Sequence, residues 1–217
     1  MHAFTRLTAA GLLAAGLTAG AAGPALAAPP DPAGSGSAFG LAATGGPLGS
    51  VPPVPAVSSD AGPARKSLLK EDRLKAVRAS ALNVSAAPAN ARSNVADLAV
   101  PTAKLKADAV TATCRDARGG AHLTQATVAG RRLDASPPPN TTIPVDVEGV
   151  GRTSLVLNKQ QRLPNGRLAV TAMQLNLPGG KGALRVASAT CGRVPAQRPV
   201  EAPAPKPVKH HDLPVTG

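Results

Sequence analysis

Chemistry at a protein site needs a nucleophile, a general base or a set of metal ligands held together, and this sequence offers few residues of those types. Its histidines are His2, His122, His210 and His211, and only His122 lies in a stretch patterned for structure, beside Gly119 and Gly120. A Ser-His-Asp arrangement would have to rest on that one imidazole as the base that takes a serine proton. His210, His211 and Asp212 could capture a metal ion weakly, but neighbours on a proline-spaced tail are not preorganised ligands. The glutamates are Glu71, Glu148 and Glu201, so paired-carboxylate chemistry would draw on scattered aspartates such as Asp134 and Asp146. The glycines from Gly34 to Gly40 miss the dinucleotide spacing by one residue, and the run Pro178 to Gly182 has Leu175 where a phosphate loop needs glycine. The reading is therefore of a chain that is not an enzyme, with no catalytic, cofactor-binding or metal residues.

Cys114 and Cys191 are the only cysteines. An even pair in a chain with an export signal reads as a disulfide, the alternative being two free thiols. Bridging them closes a loop worth about 4 kcal/mol in the chain-entropy model.

The export signal is at the start. Arg6 precedes a short apolar run from Leu7 to Leu17, small residues follow, and Ala25-Leu-Ala27 forms an A-x-A site with cleavage between Ala27 and Ala28. The run is punctuated by glycine and meets Pro29 and Pro30, too short for the ~20 apolar residues of a membrane span. The chain is expected to be exported, to the wall surface or free in the medium.

Composition bounds what the exported part can be. The chain carries a formal charge of +12, of which Arg6 leaves with the signal, and the mature part retains Phe39 as its one aromatic residue. A core must then be built from Val, Leu and Ala. Without aromatic platforms the domain is not a base-stacking nucleic-acid module, nor an aromatic-lined carbohydrate cleft. Its basic charge would draw it to anionic wall polymers, or would simply keep an aromatic-poor domain soluble.

Short alternating segments separated by turn residues predict antiparallel sheet. Candidates are Ala79–Ser85, Asn94–Val100, Ala107–Cys114, His122–Val128 and Ile143–Val147, separated by Pro88, Pro101, Gly119-Gly120 and Pro137 to Pro139. A meander follows, of residues 153–158, 167–177 and 183–191, its first turn marked by Asn165-Gly166. Asp108, Val110, Ala112 and Cys114 would share one strand face, and Ala187, Ala189 and Cys191 another, so the two faces could oppose each other with the bridge at one end. Residues 65–78 fit a helical face only loosely and read as a helix or a decorated loop. Their basic residues Arg65, Lys66, Lys70, Arg73, Lys75 and Arg78 form a possible polyanion contact, or an ordinary exposed charged face.

The domain plan is a signal peptide (1–27), a Pro/Gly/Ser leader (28–35), one all-β, sandwich-like domain (36–192) and a Pro/Ala/Lys stalk (193–212), with signal, leader and stalk disordered. An extended stalk of that length reaches on the order of 60 Å. It leads into Leu213, Pro214, Val215, Thr216 and Gly217, which match the L-P-x-T-G sorting signal of Gram-positive surface proteins. In that family a sortase cysteine attacks the Thr-Gly carbonyl and transfers the threonine acyl group to a wall-precursor amine, here at Thr216-Gly217. Such signals continue into an apolar segment and a basic stop, which are expected beyond Gly217 if the anchor is used; without them the protein is released.

From Ser37 to Cys191 the chain resembles a group of actinobacterial exported proteins described as choice-of-anchor P, in which one β-rich domain is joined to different C-terminal anchors. It is similar also to wall-anchored proteins ending in L-A-E-T-G. The resemblance is carried by Ser37-Ala-Phe-Gly-Leu41, Asn140-Thr-Thr-Ile-Pro144, Gly149-Val-Gly151, Leu157-Asn-Lys-Gln160, Val170-Thr-Ala-Met-Gln-Leu175 and Ala189-Thr-Cys191. Relatives tend to read N-E-Q and V-N-A-L-H where this chain has Lys159, Thr171 and Gln174 in place of Glu, Asn and His. The resemblance implies a non-catalytic surface protein whose partners are sortase and peptidoglycan. The alternative is a freely secreted basic module that adheres electrostatically to anionic wall polymers.

Overall fold

Alternating strands without large aromatic side chains bury enough apolar area only when one sheet is laid on another. The computed structural model describes residues 35–45, 49–71, 76–180 and 182–193, and within them it has that form. Ala27 and Ala28, most of the leader, Arg73, Lys75, the stalk beyond Arg193 and the segment Leu213 to Gly217 lie outside the described residues.

Sheet I runs in the order β10 (Thr141–Val147), β11 (Gly151–Arg162), β12 (Leu168–Asn176), β13 (Ala183–Cys191), β1 (Gly36–Thr44) and β2 (Val51–Ser59). Sheet II runs β3 (Ala64–Glu71), β4 (Arg78–Ala87), β5 (Asn90–Val100) and β6 (Leu105–Arg115). Beyond β6, the strands β7 (Arg118–Thr124) and β8 (Thr127–Val128) share its free edge, and β9 (Arg131–Arg132) pairs with β8. Every pairing is antiparallel, and β1 lies against β13, so the first and last strands of the domain are neighbours. The fold is all-β, a two-sheet sandwich.

The core is mostly aliphatic, with Ser93 fully buried where its Oγ donates to the Phe39 carbonyl at 2.8 Å. Leu41, Leu82, Leu98, Leu123, Leu157 and Met173 are fully buried, and alanines such as Ala43, Ala91, Ala112, Ala172 and Ala189 fill the space between them. Small side chains on both inner faces let the sheets approach closely, so a chain without tryptophan or tyrosine still reaches a dry interior. The Phe39 ring takes no part in it. It is partly exposed on the outer face of sheet I, where the Arg185 guanidinium sits 5.3 Å from the ring centroid.

Several sequence expectations change. Residues 65–71 are neither helix nor loop; they form the edge strand β3, which leaves Leu69 85% exposed. Charged side chains on an edge strand suit it, because they discourage pairing with another chain. The strands β1 and β2 are additional, and β2 contains Pro52, Pro53 and Pro55, tolerated because it borders the sheet. Gly119 and Gly120 lie inside β7 and do not precede it; the turn is Asp116-Ala117, with both residues at positive φ of 50° and 55°, the two-residue hairpin geometry. The expected strand 122–128 is split between β7 and β8.

Asp108 is exposed, and Ala107 and Leu105 are buried in its place, so the burial alternation of β6 shifts by one residue before Val110. Asp97 is the β5 residue opposite it, between the Ala96–Ala109 and Leu98–Ala107 pairs, and has φ 47°. The shift keeps both carboxylates in water, where a strictly alternating strand would bury one without a partner. Asn165-Gly166 behaves as expected: the Leu163 carbonyl accepts the Gly166 N–H at 2.9 Å, Pro164 leads the turn, and Gly166 takes φ 77°.

Candidate functional site

Among the described residues, those singled out for chemistry fall in four places: the gap between the sheets, the 133–140 crossover, the outer face of sheet I and the outer face of sheet II. Between the sheets, Cys114 near the end of β6 and Cys191 at the end of β13 form a disulfide with Cα atoms 5.7 Å apart and a sequence separation of 77. Both are buried, each at the end of a face of small residues, so the bridge ties one sheet to the other.

The crossover from sheet II to sheet I, residues 133–140, is tied to β7 by the Ala135 carbonyl, which accepts the Leu123 N–H at 2.8 Å, and to β11 through a buried asparagine. Asn158 lies in β11 at φ 48°, a left-handed conformation that asparagine tolerates better than most residues. Its Nδ2 donates to the Pro137 carbonyl at 2.8 Å, and its own carbonyl accepts the Asn140 N–H at 2.9 Å. The Gln160 N–H donates to Asn140 Oδ1, and Gln160 Nε2 reaches the Gly119 carbonyl of the other sheet at 2.9 Å. The segments 140–144 and 157–160, both singled out in the sequence, are thus bonded to each other. Asn158 is nearly fully buried, so Asn158→Ala leaves the Pro137 carbonyl without its donor and puts alanine at positive φ. The expected cost is about 2 kcal/mol in a urea titration, with Asn165→Ala, on the exposed turn, as a milder comparison.

On the outer face of sheet I, Lys159 and Thr171 are directly paired across β11 and β12. Lys159 Nζ donates to Gln174 Oε1 at 3.0 Å, Gln174 Nε2 to Asn176 Oδ1 at 2.6 Å, and Asn176 Nδ2 to Ser154 Oγ at 2.9 Å. Thr171 Oγ1 and Ser188 Oγ lie 3.1 Å apart beside this chain. Lys159, Thr171 and Gln174 are therefore neighbours on adjoining strands of sheet I. Lys159 and Gln174 bond each other across β11 and β12, and Thr171 bonds Ser188 across β12 and β13, so all three join strands.

His122, in β7, has Nδ1 3.3 Å from Ser136 Oγ, and Asp134 Oδ1 accepts the Ser136 N–H at 3.0 Å. The three residue types of a triad are close, but the carboxylate bonds the serine backbone and leaves the imidazole unoriented, and all three side chains are in solvent. The arrangement is a turn contact and does not activate the serine. Asp146 lies in β10 and forms an exposed ion pair with Arg152 at 4.0 Å. Among the described residues no group of three or more His, Cys, Asp or Glu could hold a metal ion.

The outer face of sheet II carries basic residues that sequence order kept apart. Register places Arg65, Ser85, Arg92, Thr113 and Gly120 in one row across β3 to β7. Arg115, two residues beyond Thr113 and directly opposite Arg118, continues the cluster toward the turn. At the other end of the face, Arg78, Ala99, Lys106, Thr127 and Arg132 form a second row. The six basic residues of 65–78 do not form one patch: Arg65 joins the first row, Arg78 the second, Lys66 and Lys70 alternate to the opposite side of β3 from Arg65, and Arg73 and Lys75 are not described. Arg92, Arg115 and Arg118 went unread because their proximity is a property of pairing, not of spacing. Comparison with known proteins finds no matching family model, curated protein or solved structure.

Proposed function

We propose that the protein is a non-catalytic exported surface protein, its β-sandwich carried on a proline-spaced stalk and joined to peptidoglycan by a sortase at Thr216. The observation that supports the exported part of this reading best is the Cys114–Cys191 bridge, since structural disulfides are characteristic of proteins folded in oxidising compartments. The A-x-A site at Ala25 to Ala27 and the Leu213 to Gly217 motif agree with that location from opposite sides of the domain. In the reaction the sortase thiolate attacks the Thr216 carbonyl, the Thr216–Gly217 bond breaks, and the Gly217 amine leaves with a proton. A wall-precursor amine then displaces the thiolate and takes the threonine acyl group.

The test is the purified mature chain incubated with a sortase and hydroxylamine as the acceptor amine. Mass spectrometry is expected to find the C-terminal peptide ending in a Thr216 hydroxamate, and Thr216→Ala to abolish the product. An unmodified C-terminal peptide with a sortase active on a control substrate would reject the proposal.

A second reading, retention by charge alone, is favoured by one observation, the arginine cluster on sheet II.

A further inference from the structure

We infer that the row Arg65–Ser85–Arg92–Thr113, together with Arg115 and Arg118, is a binding surface for a linear phosphodiester polymer. The inference rests on export alone and holds whether or not the chain is covalently anchored.

The arrangement is costly if nothing covers it. Arg115 and Arg118 are directly opposite in the ladder, and Arg92 is the diagonal neighbour of Arg115. Like charges opposite one another destabilise a sheet. No ion pair among the described residues involves any of the four arginines; the one ion pair found is Arg152 with Asp146, on sheet I. The nearest acid, Asp116, is in the turn between Arg115 and Arg118, exposed and within 4.0 Å of neither guanidinium nitrogen set. Acids lie elsewhere on this face, at Asp97 and Asp108 in its middle, so the arginine end is a local excess of charge.

The chemistry around the arginines selects the ligand. A guanidinium offers a planar fork of N–H donors that fits the two unbonded oxygens of a phosphodiester. Ser85 stands between the arginines and adds a hydroxyl donor, and Asn83 and Asn94 beside them each add a second amide N–H, the first being held by the Ala81 carbonyl at 3.2 Å and by Thr111 Oγ1 at 2.8 Å, respectively; Thr113 Oγ1 donates to the Gly120 carbonyl at 3.3 Å and so presents acceptor lone pairs only. Two shallow concavities that share Ser85 and Arg92 run together along this end of the sheet. Strands are spaced about 4.8 Å, so the row from β3 to β7 is on the order of 19 Å long, the reach of several repeats and far more than one phosphate ion. The face has no aromatic ring on which a base or a sugar could stack, which disfavours nucleic acids and carboxylate polysaccharides built on pyranose rings.

The test uses the mature oxidised chain and a poly(glycerol phosphate) probe, with affinity measured from about 0.05 to 0.3 M salt. Arg92→Ser with Arg115→Ser is expected to weaken binding about tenfold or more at fixed salt and to reduce the log–log salt slope by about 2. Arg152→Ser with Gln161→Glu changes net charge equally on sheet I and is expected to shift affinity less than about twofold. Melting of both variants controls for folding, and relief of the Arg115–Arg118 repulsion should leave the first no less stable than the parent. Equal weakening by the two variants would show that net charge alone attracts the polymer, and hyaluronan bound as tightly as the phosphate polymer would remove the phosphodiester assignment; either overturns the inference. Neither result bears on sortase transfer, which the hydroxylamine experiment reads separately.

Discussion

Removing the Cys114–Cys191 bridge, by reduction or by replacing both cysteines with alanine, is expected to cost about 4 kcal/mol of unfolding free energy. The bridge closes a 77-residue loop, and cutting it restores to the unfolded chain the freedom that the cross-link denies. For a domain of this size such a loss is a fall of roughly 8 to 16 °C in Tm, from a total stability of about 5–15 kcal/mol. The location adds to the effect. Cys114 belongs to sheet II and Cys191 to sheet I, and between those sheets the contacts are mostly aliphatic side chains, many of them alanine, whose individual burial contributes little. Thermal melts followed by circular dichroism with and without reductant measure the difference. A shift of only two or three degrees would mean that the aliphatic core alone holds the sheets and that the bridge has little structural role.

The next largest effect comes from a methyl group. In Gly119→Ala the new Cβ would lie 2.3 Å from the Thr113 carbonyl oxygen and 2.8 Å from Val170 Cγ2 of the facing sheet, with the Cys114 Cα at 3.2 Å. Backbone on one side and a core valine on the other leave no flexible group to yield. To admit the methyl, β7 must withdraw from β6, which strains the Gly119 carbonyl that accepts Gln160 Nε2 from sheet I. Overpacking of this kind costs about 3 kcal/mol. Gly120, the next residue, has nothing within 4 Å of its Cβ position, so Gly120→Ala should stay within about 0.5 kcal/mol of the parent. Urea midpoints at constant m-value separate the two. Equal effects would contradict the close approach of β7 to sheet I at Gly119.

Much of the sandwich is legible where local chemistry and tertiary demand agree. The hairpin at Asn165-Gly166, the meander through β11, β12 and β13, and the pairing of the two cysteines follow from turn residues, alternation and an even cysteine count. Residues 51–59 were not legible as a strand because three prolines deny it ladder donors, and only its place at the border of sheet I makes that harmless. Residues 65–71 showed no clear period because β3 is exposed along most of its length, and a strand with no buried face leaves no alternation to read. Asp116-Ala117 hid the β6–β7 turn, since alanine at positive φ is not a turn signal, and of the two glycines that resemble one, Gly119 serves close packing while Gly120 faces open space.

The candidate surface was legible in composition and not in position. An excess of basic residues in an exported chain points to polyanions, but Arg65, Arg92, Arg115 and Arg118 come from three hairpin-linked stretches, and only the register of sheet II makes them neighbours. The segment 65–78 looked richest in charge because linear density was the one measure that sequence allows. The structure divides it between two ends of a sheet and the two sides of an edge strand.

Retention at the wall is the central claim, and fractionation of cells that make the protein tests it most directly. Wall material is extracted with hot detergent, then with about 1 M salt, where the Debye length falls to about 3 Å, and finally digested with a muralytic enzyme. Covalent anchoring through Thr216 predicts that the protein resists both extractions and appears only after digestion, carrying wall fragments on its C-terminal threonine. Recovery in the culture medium or in the salt extract, with Thr216 unmodified, would contradict it.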